Sequence, residues 1–320
     1  MSLDAQIEIL DGGLLSSVQD LGRFGYGAFG VSPSGATDWL SARSANRLLG
    51  NPPNAALIET TMTGLRLRAR SATAIAVCGA SAPLTVAGNK RPLWQSLRVH
   101  AGAEVVLAPA ERGVRSYVAF FGGIDVQEVL GSASTDVAAG FGGIGHALGR
   151  GDELALLATD ALLPEEERAI PAAARPFWRQ PATLRTLPGP HTARFTEDDV
   201  DQLCGRPYRV SARSNRQGLR LEGAPLRTER GFDVISAGVC AGCVQISSDG
   251  MPIVLLAEHQ TTGGYAVPLV VIAADLPDAA QLRPGDELRF SRVTRAEADQ
   301  ALVEKMGPLR EGFDEPRRSG

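Results

Sequence analysis

Lysine is almost missing from this 320-residue chain. Of its 32 basic residues only Lys90 and Lys305 are lysine, so acceptor-lysine chemistry has two candidates at most. Aromatic residues make up 5%, against 36 glycines and 20 prolines, a balance that predicts many turns and short strands rather than long helices. Four cysteines in a chain of this length do not make a disulfide framework. No apolar run approaches the ~20 residues that a bilayer span needs. The opening MSLDAQIEIL has no basic region followed by an apolar core, so it does not read as a secretory signal. A soluble, cytoplasmic protein is expected. The net charge of -4, with acids and bases interspersed, carries no basic footprint for nucleic acid.

Several motifs are absent as well. There is no G-x-x-x-x-G-K-S/T phosphate loop, so any ATP used is not held in a Walker site on this chain. The turn GFGGIG at 140–145 has no βαβ unit after it, which argues against a dinucleotide site. His100, His146 and His191 stand alone, and no metal site is predicted. Met306 follows Lys305, but the M-K-M turn that accepts biotin is lacking, so the chain does not carry its own biotin. Cys240 and Cys243 form a single C-x-x-C with no second pair, and are read as small buried residues at a strand start.

What is present is 44% hydrophobic, enough for one large or two ordinary domains. One segment, 35–50, has helical spacing, with Trp39, Leu40, Ala42, Ala45, Leu48 and Leu49 along one side. Ser34 or Thr37 is expected to cap its start, and Gly50, Asn51 and Pro52 to end it. Most of the rest reads as strand: LIETTMTGLRLRA, TAIAVCGA, LTVAG, EVVLAPA, RSYVAFFGGI, ELALLA, YRVSA, IVLLA, PLVVIAA and ELRFSRV. AGAEVVL, RGDELAL and PGDELRF each place a glycine turn and an acid before a strand, and GDEL recurs at 151–154 and 285–288. Two related β modules are therefore expected within 1–293, meeting near 160–185 in a stretch rich in Pro, Ala and charge. Residues 294–320 read as a terminal helix followed by a disordered tail.

Three polar constellations stand out. After the apolar run MPIVLLA comes EHQTTGGY, residues 258–265. Its glycines allow backbone N–H groups to approach a ligand. Gln260 offers a donor and an acceptor to an amide or ureido edge, and Glu258 or His259 is placed to move a proton. The plain alternative is a tight β-turn with solvated polar residues. The second, 17–38, mixes glycines with Gln19, Asp20, Arg23, Ser34 and Asp38 and leads into the helix N-terminus, where an anion or carbonyl oxygen is favoured. Its alternative is a glycine-rich surface loop. The third, 211–223, sets Arg213, Arg216 and Arg220 around Asn215, suited to a carboxylate or phosphate, or else to a salt-bridged hairpin.

SVQDLGRFGYGAFGVSPSGATD, ANRLLGNPPNAALIE, SNRQGLRLEG and GVCAGCVQISSDGMPIVLLAEHQTTGGY, in that order, resemble the biotin-dependent carboxyltransferase domain family, also called allophanate hydrolase subunit 2. The resemblance runs over residues 7–293. It departs from the family at VSPSGATD, where a second proline and Ala-Met-Asp are expected. It departs again at Asn215, where an acid is lost, and at Cys240 and Cys243, where proline and a small or apolar residue are usual. It implies a mainly β fold of cyclophilin-like β-barrel architecture. It also implies a B-subunit-like, KipI-type partner, with or without a lactam-utilisation A subunit. The first reading it implies is the C subunit of an ATP-dependent 5-oxoprolinase complex, a hydrolase component active only with its partners. The alternatives are a carboxyltransferase component of a urea-carboxylase-type system, with biotin on another chain, and a Kip-type protein that binds a kinase inhibitor without catalysis. The site then implied has Glu258, Gln260 and Thr261 as catalytic residues. Gln19, Asp20, Arg23, Ser34, Gly35, Asp38, Arg216, Gln245, His259, Thr262, Gly263, Gly264 and Tyr265 bind substrate, with Gln19, Ser34 and Arg216 on walls facing 258–265.

Overall fold

The structure is a computed structural model that describes residues 6–157, 163, 167–176, 178, 180–228 and 231–311. The tail expected to be disordered lies, from residue 312 on, outside the described residues. The chain clusters into two compact units. One comprises the described residues of Met1–Gly22, Asp38–Pro176 and Met306–Gly320; the other those of Arg23–Thr37 and Phe177–Lys305.

The first unit holds two antiparallel sheets. Seven strands run in the order Ile124–Asp125, Glu153–Leu156, Ile7–Asp11, Arg66–Ala69, Glu104–Leu107, Leu84–Val86, Asn89–Arg91. Five run Ser16–Gln19, Leu57–Thr61, Arg112–Phe120, Thr73–Ser81, Ser96–Val99. In the first sheet burial alternates along Ile7–Asp11, Arg66–Ala69, Glu104–Leu107 and Glu153–Leu156, as the two-residue period of a one-sided sheet demands. Ile7, Ile9, Leu67 and Val105 from this sheet meet Val18, Ile58, Ile75 and Val118 from the other in one core. Thr73–Ser81 and Arg112–Phe120 are buried almost throughout because the helix Trp39–Leu48 covers them.

That helix lies where its spacing predicts, but its cap differs from the expectation. Asp38, not Ser34 or Thr37, is the N-cap, and its carboxylate accepts from the Ser41 amide at 2.9 Å and the Ser41 hydroxyl at 2.6 Å. Aspartate caps well because its charge also meets the positive end of the helix dipole.

The second unit is a closed seven-stranded barrel. Its order is Ala182–Pro188, Leu269–Val271, Cys243–Ile246, Pro252–Leu255, Gly218–Glu222, Tyr208–Val210, Glu287–Arg292, and the last strand closes in parallel on the first, Ala182 opposite Leu288. Closure removes unpaired sheet edges. Leu184, Val244, Ile246, Val254, Leu288 and Phe290 fill the interior. Thr262–Tyr265 pairs outside the barrel with Asp233–Gly238 in a two-stranded ribbon. Two helices beyond those expected, Glu197–Gly205 and Leu276–Ala280, belong here. The first has a reciprocal capping box between Thr196 and Asp199 and sends Val200 and Leu203 into the core. The terminal helix Arg295–Glu311 seats Ala298 and Ala301 against Ile272 and Ala274.

The expected mainly β, β-barrel architecture is therefore what the chain adopts. Leu67 and Leu184 are each 1% exposed or less in their respective cores. Leu67→Ala and Leu184→Ala are each expected to lower stability by about 2–5 kcal/mol in urea titration, with the cavity left behind adding to the lost apolar burial.

Candidate active site

The site grows from the end of strand Pro252–Leu255. The Leu256 amide donates to the Gln217 carbonyl at 2.9 Å and the Glu258 amide to the Arg216 carbonyl at 2.9 Å, so the chain is pinned to residues 216–217 as it leaves the barrel. This brings Glu258 against Arg216. Their side chains are 8% and 3% exposed, and Arg216 Nε donates to Glu258 Oε1 at 2.7 Å. Arg216 Nη1 also donates to Thr37 Oγ1 at 3.1 Å, and Nη2 to the Gly35 carbonyl at 2.8 Å. Ser34 and Gly35 both take left-handed φ, 53° and 90°, where the chain turns to present that carbonyl. For serine this conformation is uncommon. The Ser32 hydroxyl reaches the Ala257 carbonyl at 3.5 Å. Three stretches distant in sequence, 32–37, 216–217 and 256–258, are thus tied together around one guanidinium.

His259 is buried and its Nδ1 lies 2.7 Å from the Gln260 carbonyl. A carbonyl only accepts, so Nδ1 carries the proton and Nε2 keeps its lone pair. Burial holds the imidazole below its usual range, partly offset by that bond to Gln260. Gln260 is exposed, and its amide nitrogen donates to Gln245 Oε1 at 2.9 Å. Gln245 is 1% exposed, on a strand buried on both faces, and its own Nε2 has no hydrogen-bond partner. The buried Ser34 hydroxyl also lacks one. Buried polar groups are rarely left unmet, which sets these two apart from the other polar groups of the region.

The glycines of TTGG do not make the expected turn. The turn falls at residues 257–261, and Gly263 and Gly264 lie in the ribbon strand. Gly263 is required by contact instead, since a Cβ there would stand 2.2 Å from Gln245 Nε2. Thr261 accepts from the Val239 amide at 3.1 Å through its carbonyl, while Thr262 and Tyr265 sit opposite Gly238 and Asp233.

Arg23, Ser34, Gly35, Arg216, Gln245 and residues 258–265 all belong to the barrel-containing unit. Gln19, Asp20 and Asp38 belong to the other and are engaged there. Gln19 Nε2 donates to Ser17 Oγ and the Thr135 carbonyl, both at 2.8 Å. Asp20 gathers the Ser132 hydroxyl at 2.7 Å, the Ser134 hydroxyl at 2.6 Å and the Ala133 amide at 2.9 Å. Asp38 caps its helix, so the dipole there meets a carboxylate of the chain itself. Arg213, Asn215 and Arg220 are exposed, and Asn215 accepts from the Gln217 amide at 2.8 Å. Cys240, expected to be buried, is exposed; Cys243 is buried.

Sequence reasoning missed Thr37 and a buried network in the first unit, where Glu59 receives Arg115 Nη1 at 3.1 Å and the Tyr117 hydroxyl at 2.8 Å. Arg115 and Tyr117 share a strand paired with that of Glu59, but Glu59 is 56 and 58 residues away from them in sequence, so no local signal joins it to them. Among the described residues no group of three His, Cys, Asp or Glu is placed to hold a metal ion. No helix among them is long and apolar enough to cross a membrane. A cleft of about 460 Å³ beside the Arg185–Asp275 ion pair takes in none of the expected site residues.

Residues 29–292 match the family described as the carboxyltransferase domain, subdomain A and B. The chain belongs to that family. Among relatives of this carboxyltransferase-domain chain, the 5-oxoprolinase C subunit of Escherichia coli (strain K12) is 34% identical over 298 residues, covering 92% of this chain and 94% of its own. The urea amidolyase of K. lactis superposes with a TM-score of 0.90 at 29% identity, over 98% of this chain and 20% of that one. TTHA0988 superposes with a TM-score of 0.82 at 36% identity, over 90% of this chain and 55% of that one. The chain thus spans nearly all of the first relative, a fifth of the second and about half of the third.

Two outcomes follow from the geometry. Arg216→Met strands a buried carboxylate and should cost about 3–5 kcal/mol in urea unfolding. His259 has a second consequence, in its proton linkage. The unfolded chain protonates it near pH 6.5, the folded chain only at lower pH, so the unfolded state holds more protons between the two values. Stability should therefore fall as the pH drops below about 6.5 and level off once folded His259 is protonated. His259→Gln should flatten that part of the wild-type curve.

Proposed function

We propose that this chain is the C subunit of an ATP-dependent 5-oxoprolinase, which opens 5-oxoproline to glutamate together with the A and B subunits in the cytoplasm. The observation that carries this reading is the 34% identity with the 5-oxoprolinase C subunit of E. coli, sustained over 92% of one chain and 94% of the other.

The chemistry of residues 258–265 and their neighbours supports it. A lactam presents an N–H beside a carbonyl oxygen. Its opening needs that oxygen held as charge develops on it, which fixed neutral donors do well. Gln260 has one N–H engaged by Gln245 and a second N–H and a carbonyl left to offer, and Gln245 brings a buried donor that nothing else uses. Neutral His259, its lone pair on Nε2, is suited to take a proton. Glu258 is bound to Arg216 and sets the position of the turn that follows. Arg216, expected to meet a carboxylate or a phosphate, directs three of its N–H groups at acceptors in its own chain, which suits it to holding the wall in place.

In this reading ATP would supply the activation of the lactam oxygen, leaving as ADP and phosphate, and water would open the ring. The chain has no phosphate-binding glycine–lysine loop, and Lys305 is paired with Asp278 at 2.8 Å. We therefore assign nucleotide handling to a partner. Two further subunits are required in this reading, the KipI-type B and the lactam-utilisation A.

The likeness to K. lactis urea amidolyase over 98% of this chain favours a second reading. In it biotin on another chain would supply a carboxyl group to a ureido nitrogen, an edge of the same donor–acceptor pattern. Reconstitution separates the two. With the A and B subunits, 5-oxoproline should stimulate ATP hydrolysis and glutamate formation, and this chain alone should do neither. Gln260→Ala should cut turnover roughly a hundred- to a thousandfold at unchanged melting temperature. Urea-dependent carboxylation without lactam opening would favour the second reading, and full turnover by Gln260→Ala would remove the amide from the mechanism.

A further inference from the structure

Two thiols at the start of strand Cys243–Ile246 have no part in the function proposed above. The Cys243 amide donates to the Cys240 carbonyl at 3.1 Å, closing a four-residue turn. Its third residue, Gly242, has φ 91°, as a type II turn requires at that place. The turn is pinned to the barrel on both sides. The Gly242 amide donates to the Leu255 carbonyl at 2.8 Å, and the Gly242 carbonyl accepts from the Val271 amide at 2.8 Å. A Cβ at 242 would stand 2.7 Å from the Val271 carbonyl oxygen, so the turn has little room to be built otherwise.

This frame holds the sulfurs together. Cys240 Sγ and Cys243 Sγ are 3.6 Å apart, and the Cys240 amide points at Cys243 Sγ from 3.5 Å. A turn keeps its end Cα atoms within about 7 Å, which overlaps the roughly 4.4–6.8 Å that a disulfide spans. Bond formation needs an S–S distance near 2.05 Å, a closing movement that side-chain rotation supplies while the backbone stays pinned. The two sulfurs are unequal. Cys240 faces solvent and Cys243 is buried. The hydrogen bond from Cys243 brings the Cys240 thiol down to about 7, against the opposing effect of burial. The same bond, with burial added, pushes Cys243 well up. The remaining cysteines are different again, since burial raises both Cys78 and Cys204.

We propose that Cys240 and Cys243 form a hydroperoxide-reactive dithiol, in which Cys240 is attacked first and Cys243 resolves the product to an intrachain disulfide. The Cys240 thiolate attacks the terminal oxygen of a hydroperoxide, the O–O bond breaks, and the departing oxygen takes a proton and leaves as water or an alcohol. Cys240 is then a sulfenic acid. Cys243 gives up its proton as its sulfur attacks that of Cys240; the S–O bond breaks and water leaves. Two thiols have lost two electrons and two protons, and one peroxide has been reduced. A small-molecule dithiol reverses the change.

The full-length chain is exposed to hydrogen peroxide, its thiols are titrated after unfolding, and the peptide containing both cysteines is weighed. The wild type should lose two of its four thiols, with that peptide lighter by two hydrogens and restored by dithiothreitol. Cys240→Ser should keep its remaining three thiols under the same exposure. Cys243→Ser should stop at the sulfenic acid, trapped by dimedone on Cys240. A wild type that keeps all four thiols, a Cys240→Ser chain that oxidises as fast as the wild type, or dimedone found on Cys78 or Cys204 in its place would each overturn the proposal.

Discussion

One buried guanidinium organises the candidate site. A charged arginine and glutamate are expensive to remove from water, and their mutual attraction compensates only when the remaining donors are also met. Arg216 achieves this by reaching three acceptors: Glu258 where the barrel strand ends, the Thr37 hydroxyl, and the Gly35 carbonyl. The cost of leaving any of them unmet makes the arrangement specific. The turn at 257–261 cannot drift from residues 34–37 without uncovering a charge. The neutral groups that follow, His259, Gln260 and their partner Gln245, inherit their positions from that constraint.

The amides gain from it. Gln245 lies within a strand buried on both faces, and its amide is held from one side by Gln260 and from the other by the missing side chain of Gly263. An amide fixed in this way has little conformational entropy left to lose, the condition under which a neutral hydrogen bond contributes most to a developing charge. An exposed glutamine alone would not meet it.

Much of the β architecture was legible because its signals are local. AGAEVVL, RGDELAL and PGDELRF all proved to be a glycine turn leading into a strand. Gly102, Gly151 and Gly285 take φ of 80°, 93° and 91°, and nothing crowds them, so backbone conformation alone selects glycine there. Strands such as Ser16–Gln19 and Thr262–Tyr265 were missed because their residues are polar or glycine, and pairing partners rather than side-chain type make them strands. The same limit applied to the site. The crowding of EHQTTGGY was visible, and so was the arginine at 216. That Arg216 binds Glu258, or that Gly263 is dictated by Gln245 across the fold, depends on contacts which no spacing in the chain encodes. Asp38 and Asp20 show the converse: polar residues in a glycine-rich loop drew attention, and one caps a helix while the other gathers the loop at 132–134.

The bond from Arg216 to Gly35 spans 181 residues of chain. During synthesis residues 23–37 leave the ribosome long before the barrel that receives them, and they must wait while the intervening sheets form. The entropy of closing so long a loop grows only slowly with its length, so the delay costs time more than stability. The barrel is in this sense assembled around a piece made in advance. Cutting the gene ahead of Phe177 would not release it as an independent module, because the acceptors that Thr37 and Gly35 supply to its arginine would be left behind.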